Sequence, residues 1–123
     1  MILVVDDDAD VRETLSEVLQ DEGYRVATAR NGLEALAALR QAERICLVLL
    51  DLMMPVMSGH EFLQKHKADP NLAGIPVIVM SALWDERPSS DQPFLRKPVP
   101  LSALLSFVEQ YCAEKRAADA EQA

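Results

Sequence analysis

Short apolar runs alternate along the chain with longer amphipathic segments. The runs are Ile2–Val5, Tyr24–Ala29, Leu47–Leu50, Val77–Met80 and, more weakly, Phe94–Leu95. The first four read as strands; continuous Val, Ile and Leu runs such as Ile2–Val5 suit burial on both faces. Between them, Val11, Leu15, Val18 and Leu19 repeat with the spacing of one helix face, and Gly23 is a stop signal. Asn31-Gly32 opens a second helix through Leu33, Leu36 and Leu39. Gly59 to about Lys67 makes a short third, closed by Asp69-Pro70. A last helix starts near Pro100, because proline suits the first helical position. Leu101, Leu104, Leu105, Val108, Tyr111 and Cys112 form its apolar stripe. The alternation predicts an α/β fold, an open parallel sheet with helices on both faces. Such sheets bind ligands at the carboxyl ends of their strands.

Those ends are polar. The first strand runs into Asp6-Asp7-Asp8, the third into Asp51, the fourth into Ser81 and the fifth into Lys97-Pro98. Each has a plain reading alone: a solvated turn and helix cap, a turn residue, a backbone cap, a surface charge. Those readings leave the joint placement on one rim unexplained. Crowded carboxylates repel and favour a nearby cation. Mg²⁺ takes one or two carboxylates and keeps waters that a phosphate can replace. A carboxylate beside it can attack phosphorus and form an aspartyl phosphate. The three phosphoryl oxygens would then meet the metal, the Lys97 ammonium and the Ser81 hydroxyl.

Composition narrows the class. A chain of 123 residues, half of them hydrophobic, makes one domain. No stretch approaches the ~20 apolar residues of a membrane span. The net charge of −8 argues against a nucleic-acid surface, which needs clustered Lys and Arg. Met1 leads directly into the first strand, so no secretory signal is expected and the location reads as cytoplasmic. Cys46 and Cys112 sit among apolar neighbours and are too few for a disulfide scaffold, so buried free thiols are expected.

Taken in order, four blocks resemble the receiver domain of two-component response regulators. They are Ile2-Leu3-Val4-Val5-Asp6-Asp7-Asp8, Asp51-Leu52-Met53-Met54-Pro55-Val56-Met57-Ser58-Gly59, Val77-Ile78-Val79-Met80-Ser81-Ala82 and Lys97-Pro98. The resemblance covers essentially the whole chain, with a receiver over 1–118 and a frayed tail over 119–123. It implies a flavodoxin-like, doubly wound five-stranded sheet of order 2-1-3-4-5. It implies Asp51 as phosphoacceptor, and Asp6, Asp7, Asp51 and the Met53 backbone carbonyl as Mg²⁺ ligands. Ser81 becomes the switch hydroxyl and Phe94 the switch aromatic. Lys97 pairs with the phosphoryl group, and Lys97-Pro98 is expected to be cis. Asp8 belongs to the turn, with room for a supporting role. The implied partner is a histidine kinase or histidine phosphotransfer protein, with an unknown protein target downstream and a homodimer open to it. The domain is consumed stoichiometrically, so it is not a turnover enzyme. His60 and His66 are not needed as phosphate carriers and are expected on the solvent face of the third helix.

Two departures stand out. From Ser81 to Lys97 there are only 16 positions, about two helical turns fewer than in a typical receiver. The connection holds Pro88 and Pro93 and no apolar residue after Trp84. The helix between the fourth and fifth strands, the family's fourth, is therefore expected to be short, absent or disordered. Trp84 would either fold back over the sheet or stand out as an anchor for a partner. The resemblance implies that the positions two residues after Asp51 and Ser81 tune hydrolysis; here they are Met53 and Leu83, both apolar and unable to orient an attacking water. Slow autodephosphorylation, over minutes or longer, follows. One helix after Lys97 leaves no room here for an output domain, so the reading is a stand-alone receiver, with a fragment of a larger hybrid kinase as the alternative. The alternatives are a phosphorylation-independent pseudo-receiver and an aspartyl-phosphate phosphatase. The latter needs an acid at the position of Met53.

Overall fold

The computed structural model describes residues 1–41, 45–54, 56–82 and 93–122, with side chains as far as Cys112. The elements are β1 (Ile2–Val5), α1 (Ala9–Asp21), β2 (Val26–Ala29), α2 (Gly32–Gln41), β3 (Leu47–Asp51), α3 (Gly59–Ala68), β4 (Val77–Ser81), β5 (Phe94–Arg96) and α4 (Leu101–Gln122). The five strands form one parallel sheet in the order β2-β1-β3-β4-β5. This is the flavodoxin-like doubly wound order the resemblance implies. The residues 83–92, and with them Trp84, Leu83 and the expected loss of a helix, lie outside the described residues. The label α4 therefore denotes the C-terminal helix.

Alternation along each strand sends side chains to two cores. Leu3, Val5, Val48, Leu50, Val77 and Val79 face α2 and α3, where they meet Leu36, Leu39, Phe62 and Leu63. Ile2, Val4, Leu47, Leu49, Ile78 and Met80 face α1 and α4, where they meet Leu15, Leu19, Leu104 and Val108. Each such side chain contributes roughly 1.5–3 kcal/mol by leaving water. The apolar runs of β1, β3 and β4 look continuous in sequence because both of their faces are covered.

Two expectations are corrected. His66 is not on the solvent face; it is 4% exposed and stacks on Phe62 with ring centroids 6.0 Å apart. The inward face of α3 is Phe62, Leu63 and His66, and the chain doubles back so that the Ile75 carbonyl accepts from His66 Nε2 at 2.9 Å. That partner makes a buried imidazole tolerable, and nothing local in the sequence announces it. His60 is exposed as expected. Cys46 and Cys112 are buried as expected, but they are joined in a disulfide rather than free. Cys46 enters β3 directly beneath α4, a meeting of positions 66 apart that only the topology arranges.

Among the described residues, no helix is long and apolar enough to cross a membrane.

Candidate functional site

Strand register builds the site. Val5 lies opposite Leu50, so Asp6 leaves β1 beside Asp51 at the end of β3. Asp51 lies opposite Met80, which puts Ser81 one residue further along the neighbouring strand. Asp6 and Ser81 are fully buried, and Asp51 is 4% exposed. One carboxylate oxygen each from Asp6, Asp7 and Asp51 fall within 4.8 Å of one another.

Lys97 completes the cluster from the far side. Its backbone amide donates to the Ser81 carbonyl at 2.9 Å, which carries β5 over the end of β4. Its ammonium donates to Asp6 Oδ2 at 2.7 Å and lies 3.4 Å from Asp51 Oδ1. The Lys97–Pro98 peptide is cis, as the resemblance implies. Phe94, opposite Val79 on β5, is half-buried against the core beneath α2 and α3.

Burial dominates the electrostatics. Loss of water pushes the Asp51 carboxyl up to about 6, and the Asp6 charge adds to the effect. Lys97 and the Met53 amide, which donates to Asp51 Oδ1 at 3.3 Å, oppose it only in part. Burial pulls the Lys97 ammonium down, but its hydrogen bond to Asp6 and the Asp51 charge outweigh that and hold it above the ordinary lysine value. One ammonium thus faces two carboxylates, and the third, of Asp7, lies within 4.8 Å of both acids. The donors are hard oxygens, two of them on buried groups that are short of positive charge. That set fits Mg²⁺, which prefers carboxylate and water oxygens.

The surrounding chain holds these groups in place. Asp8 caps α1, accepting from the Asp10 amide at 2.9 Å, so the third acid of the run is structural. Asp6 Oδ1 accepts from the Asp8 amide at 2.9 Å, which fixes the rotamer of Asp6. The sequence reading missed Arg12, whose guanidinium donates to the Asp6 carbonyl at 2.7 Å and clamps the loop after β1. The signal was its place one turn into α1, directly above the acids. It also missed the close approach at Gly59, where a Cβ would come within 2.6 Å of Leu52 Cα and 2.7 Å of the Asp51 carbonyl oxygen. Only glycine lets α3 start against the strand that carries Asp51. Met53 is 58% exposed at the rim.

A parallel α/β sheet with three acids and a lysine at its carboxyl edge suits a phosphoacceptor. The family model for the response regulator receiver domain matches residues 2–109, and the chain belongs to that family. It is thus a receiver domain of two-component response regulators, in a phosphoacceptor role. A 14.6 kDa protein from the sodA1 3′ region of Leptolyngbya boryana is 38% identical over 117 residues, covering 90% of this chain and 88% of that protein. The DNA-binding response regulator MtrA of Mycolicibacterium paratuberculosis is 44% identical over 84 residues, 68% of this chain. The match takes in only 36% of MtrA. Among solved structures, the receiver domain of a Syntrophus aciditrophicus signal transduction histidine kinase superposes with a TM-score of 0.81 at 32% identity, covering 92% of this chain and 89% of that one. The response regulator TrrA of Thermotoga maritima, solved in complex with Mg²⁺ and BeF, gives 0.78 at 33% identity, covering 89% and 96%.

Proposed function

We propose that this domain takes a phosphoryl group from a phosphohistidine on a histidine kinase or phosphotransfer protein onto Asp51. The observation that carries this reading is the convergence of Asp6, Asp51 and Lys97 within salt-bridge distance at the strand ends. Asp51 Oδ attacks phosphorus, the bond to the donor imidazole breaks, and the leaving nitrogen takes up a proton. Asp6, Asp7, Asp51 and the Met53 carbonyl would hold Mg²⁺, which supplies charge neutralisation for the phosphoryl oxygens. Lys97 follows the new charge from the carboxylates to the phosphoryl group. Ser81 supplies a hydroxyl for a third oxygen, and Phe94 moves with it as the switch pair. The acceptor is consumed once per transfer, so the domain is not a turnover enzyme. We place it in the cytoplasm, with residues 1–118 as the receiver, 119–123 as its tail, and a protein rather than a nucleic acid or membrane as its target. Retention of both buried acids with their lysine favours this reading over a phosphorylation-independent module, which would have no use for the cost of their burial.

The test is intact-protein mass after incubation with acetyl phosphate and Mg²⁺. The native chain should gain one phosphoryl group, ~80 Da, and Asp51→Asn should gain none. A native chain that keeps its fold and binds Mg²⁺ but gains no mass, even from a panel of phosphorylated histidine kinases, would point to the module instead.

A further inference from the structure

The Cys46–Cys112 disulfide has no part in the phosphoacceptor chemistry. Cys46 stands immediately before β3, and its amide donates to the Met1 carbonyl at 2.9 Å at the mouth of β1. Cys112 continues a buried row on α4 with Leu104 and Val108, spaced four residues apart so that they fall on one face. The bond therefore fastens α4 to the amino-terminal edge of the sheet. Asp51 sits at the other end of β3, roughly 16 Å away at about 3.3 Å per residue. The helix itself continues beyond the fastening to Gln122.

We propose that Cys46 and Cys112 form a reversible thiol–disulfide site that latches α4 to the sheet. Its co-reactant is a low-molecular-weight disulfide such as oxidised glutathione. In the oxidising direction one cysteine thiolate attacks a glutathione sulfur and expels one glutathione. The second cysteine then attacks the mixed disulfide, closes the Cys46–Cys112 bond and expels the other. Two electrons pass to the oxidant, and the two cysteine protons leave with the two released thiols. Glutathione in excess runs the same steps in reverse. Three features fit a pair that can stand in either form. The two Cα atoms are 5.6 Å apart, a separation that accommodates the bond. The site is 5% and 1% exposed among apolar neighbours, where a pair of protonated thiols also packs as small hydrophobic side chains. In the cytoplasmic setting proposed above, a disulfide is transient and redox-responsive. Burial makes the exchange slow, because α4 must lift for a sulfur to be reached.

The test equilibrates the full chain in glutathione buffers from fully reduced to fully oxidised. Samples are acid-quenched, labelled with N-ethylmaleimide under denaturing conditions and weighed. The label count should pass from two to none across the series, and hydrogen exchange over 101–112 should be several-fold faster in the reduced form. Cys112→Ala should show the fast exchange in every buffer. Two labels throughout, no labels even in the fully reduced buffer, or equal α4 exchange in both forms would each overturn the proposal. Acetyl phosphate labelling of Asp51, run in parallel, should be the same in both redox forms. Its failure would count against the phosphoacceptor reading and leave the latch standing.

Discussion

The Lys97 ammonium lies 2.7 Å from Asp6 Oδ2, an ion pair with its acid fully buried and its lysine three-quarters covered. Removing one side of such a pair leaves a buried charge without its partner. Lys97→Met should therefore cost roughly 2 kcal/mol of stability in metal-free buffer. Saturating Mg²⁺ should restore part of it by supplying the missing charge. Denaturant titration with and without the metal checks both statements. On the proposed phosphotransfer, in which Lys97 pairs with the phosphoryl oxygens, the same variant should also lose most of its labelling by acetyl phosphate.

Asp51 is a group whose burial opposes its charge. Its carboxyl is raised to about 6 in the fold, against 3.8 for the ordinary group. Between those values the native state binds more protons than the unfolded state, so stability falls as pH rises through that window. Above pH 6 the full cost is present, up to about 3 kcal/mol. Asp51→Asn cannot ionise and should be the more stable protein at pH 7.5 without metal. The advantage should vanish near pH 4 and shrink when Mg²⁺ binds the native carboxylate. Thermal melts at the two pH values, with and without the metal, decide it.

Hydrolysis of the acyl phosphate needs a water aimed at phosphorus. Met53, exposed at the rim two residues after Asp51, offers no polar atom on its side chain to hold one except a weakly accepting sulfur. Met53→Asn should shorten the lifetime of the adduct several-fold while leaving its formation intact. Decay of the phosphorylated mass after removal of the donor measures this; an unchanged lifetime would show that the rim side chain does not control the water.

Val56 has a φ of 69°, in the left-handed region, and is 76% exposed. A β-branched side chain there is strained and contributes little packing in return. Val56→Gly should stabilise the domain by about 0.5–1 kcal/mol, the relief of strain outweighing the added freedom of the unfolded chain. A destabilised variant in urea titration would show that Val56 makes contacts its exposure conceals.

His66 is buried with Nε2 donating to Ile75, and its Nδ1 has no hydrogen-bond partner among the described residues. Burial holds the imidazolium below the ordinary histidine value, the Lys67 charge adds to this, and the Ile75 carbonyl opposes it. The unfolded chain therefore takes up its proton first as pH falls below about 6.5, and native stability declines from there downward. A His66→Leu variant starts less stable for want of the Ile75 bond. It should lose less in its melting temperature between pH 7.5 and 5.5 than the native chain does. Parallel losses in the two proteins would sink this assignment.

The sheet and the acidic edge were legible in the sequence because both are written in local patterns. Ile2–Val5, Leu47–Leu50 and Val77–Met80 read as strands covered on both faces, and each delivers its polar residue at its carboxyl end. Parallel pairing then has little choice but to gather Asp6, Asp51, Ser81 and Lys97 on one rim. What depends on the approach of distant segments left no local mark. His66 looked like a surface residue because its acceptor, the Ile75 carbonyl, arrives only when the chain turns back after α3. Arg12 drew no notice in the sequence, because only the fold places the Asp6 carbonyl beside it. Cys46 and Cys112 looked like separate core residues, since 66 positions divide them and only the packing of α4 on β3 brings their Cα atoms to 5.6 Å. The sequence by itself determined the elements, their order and the chemistry of the strand ends, because periodicity and residue type act over a few residues. The tertiary structure alone decided which buried polar groups find partners and which sulfurs meet, because those follow from where whole elements pack.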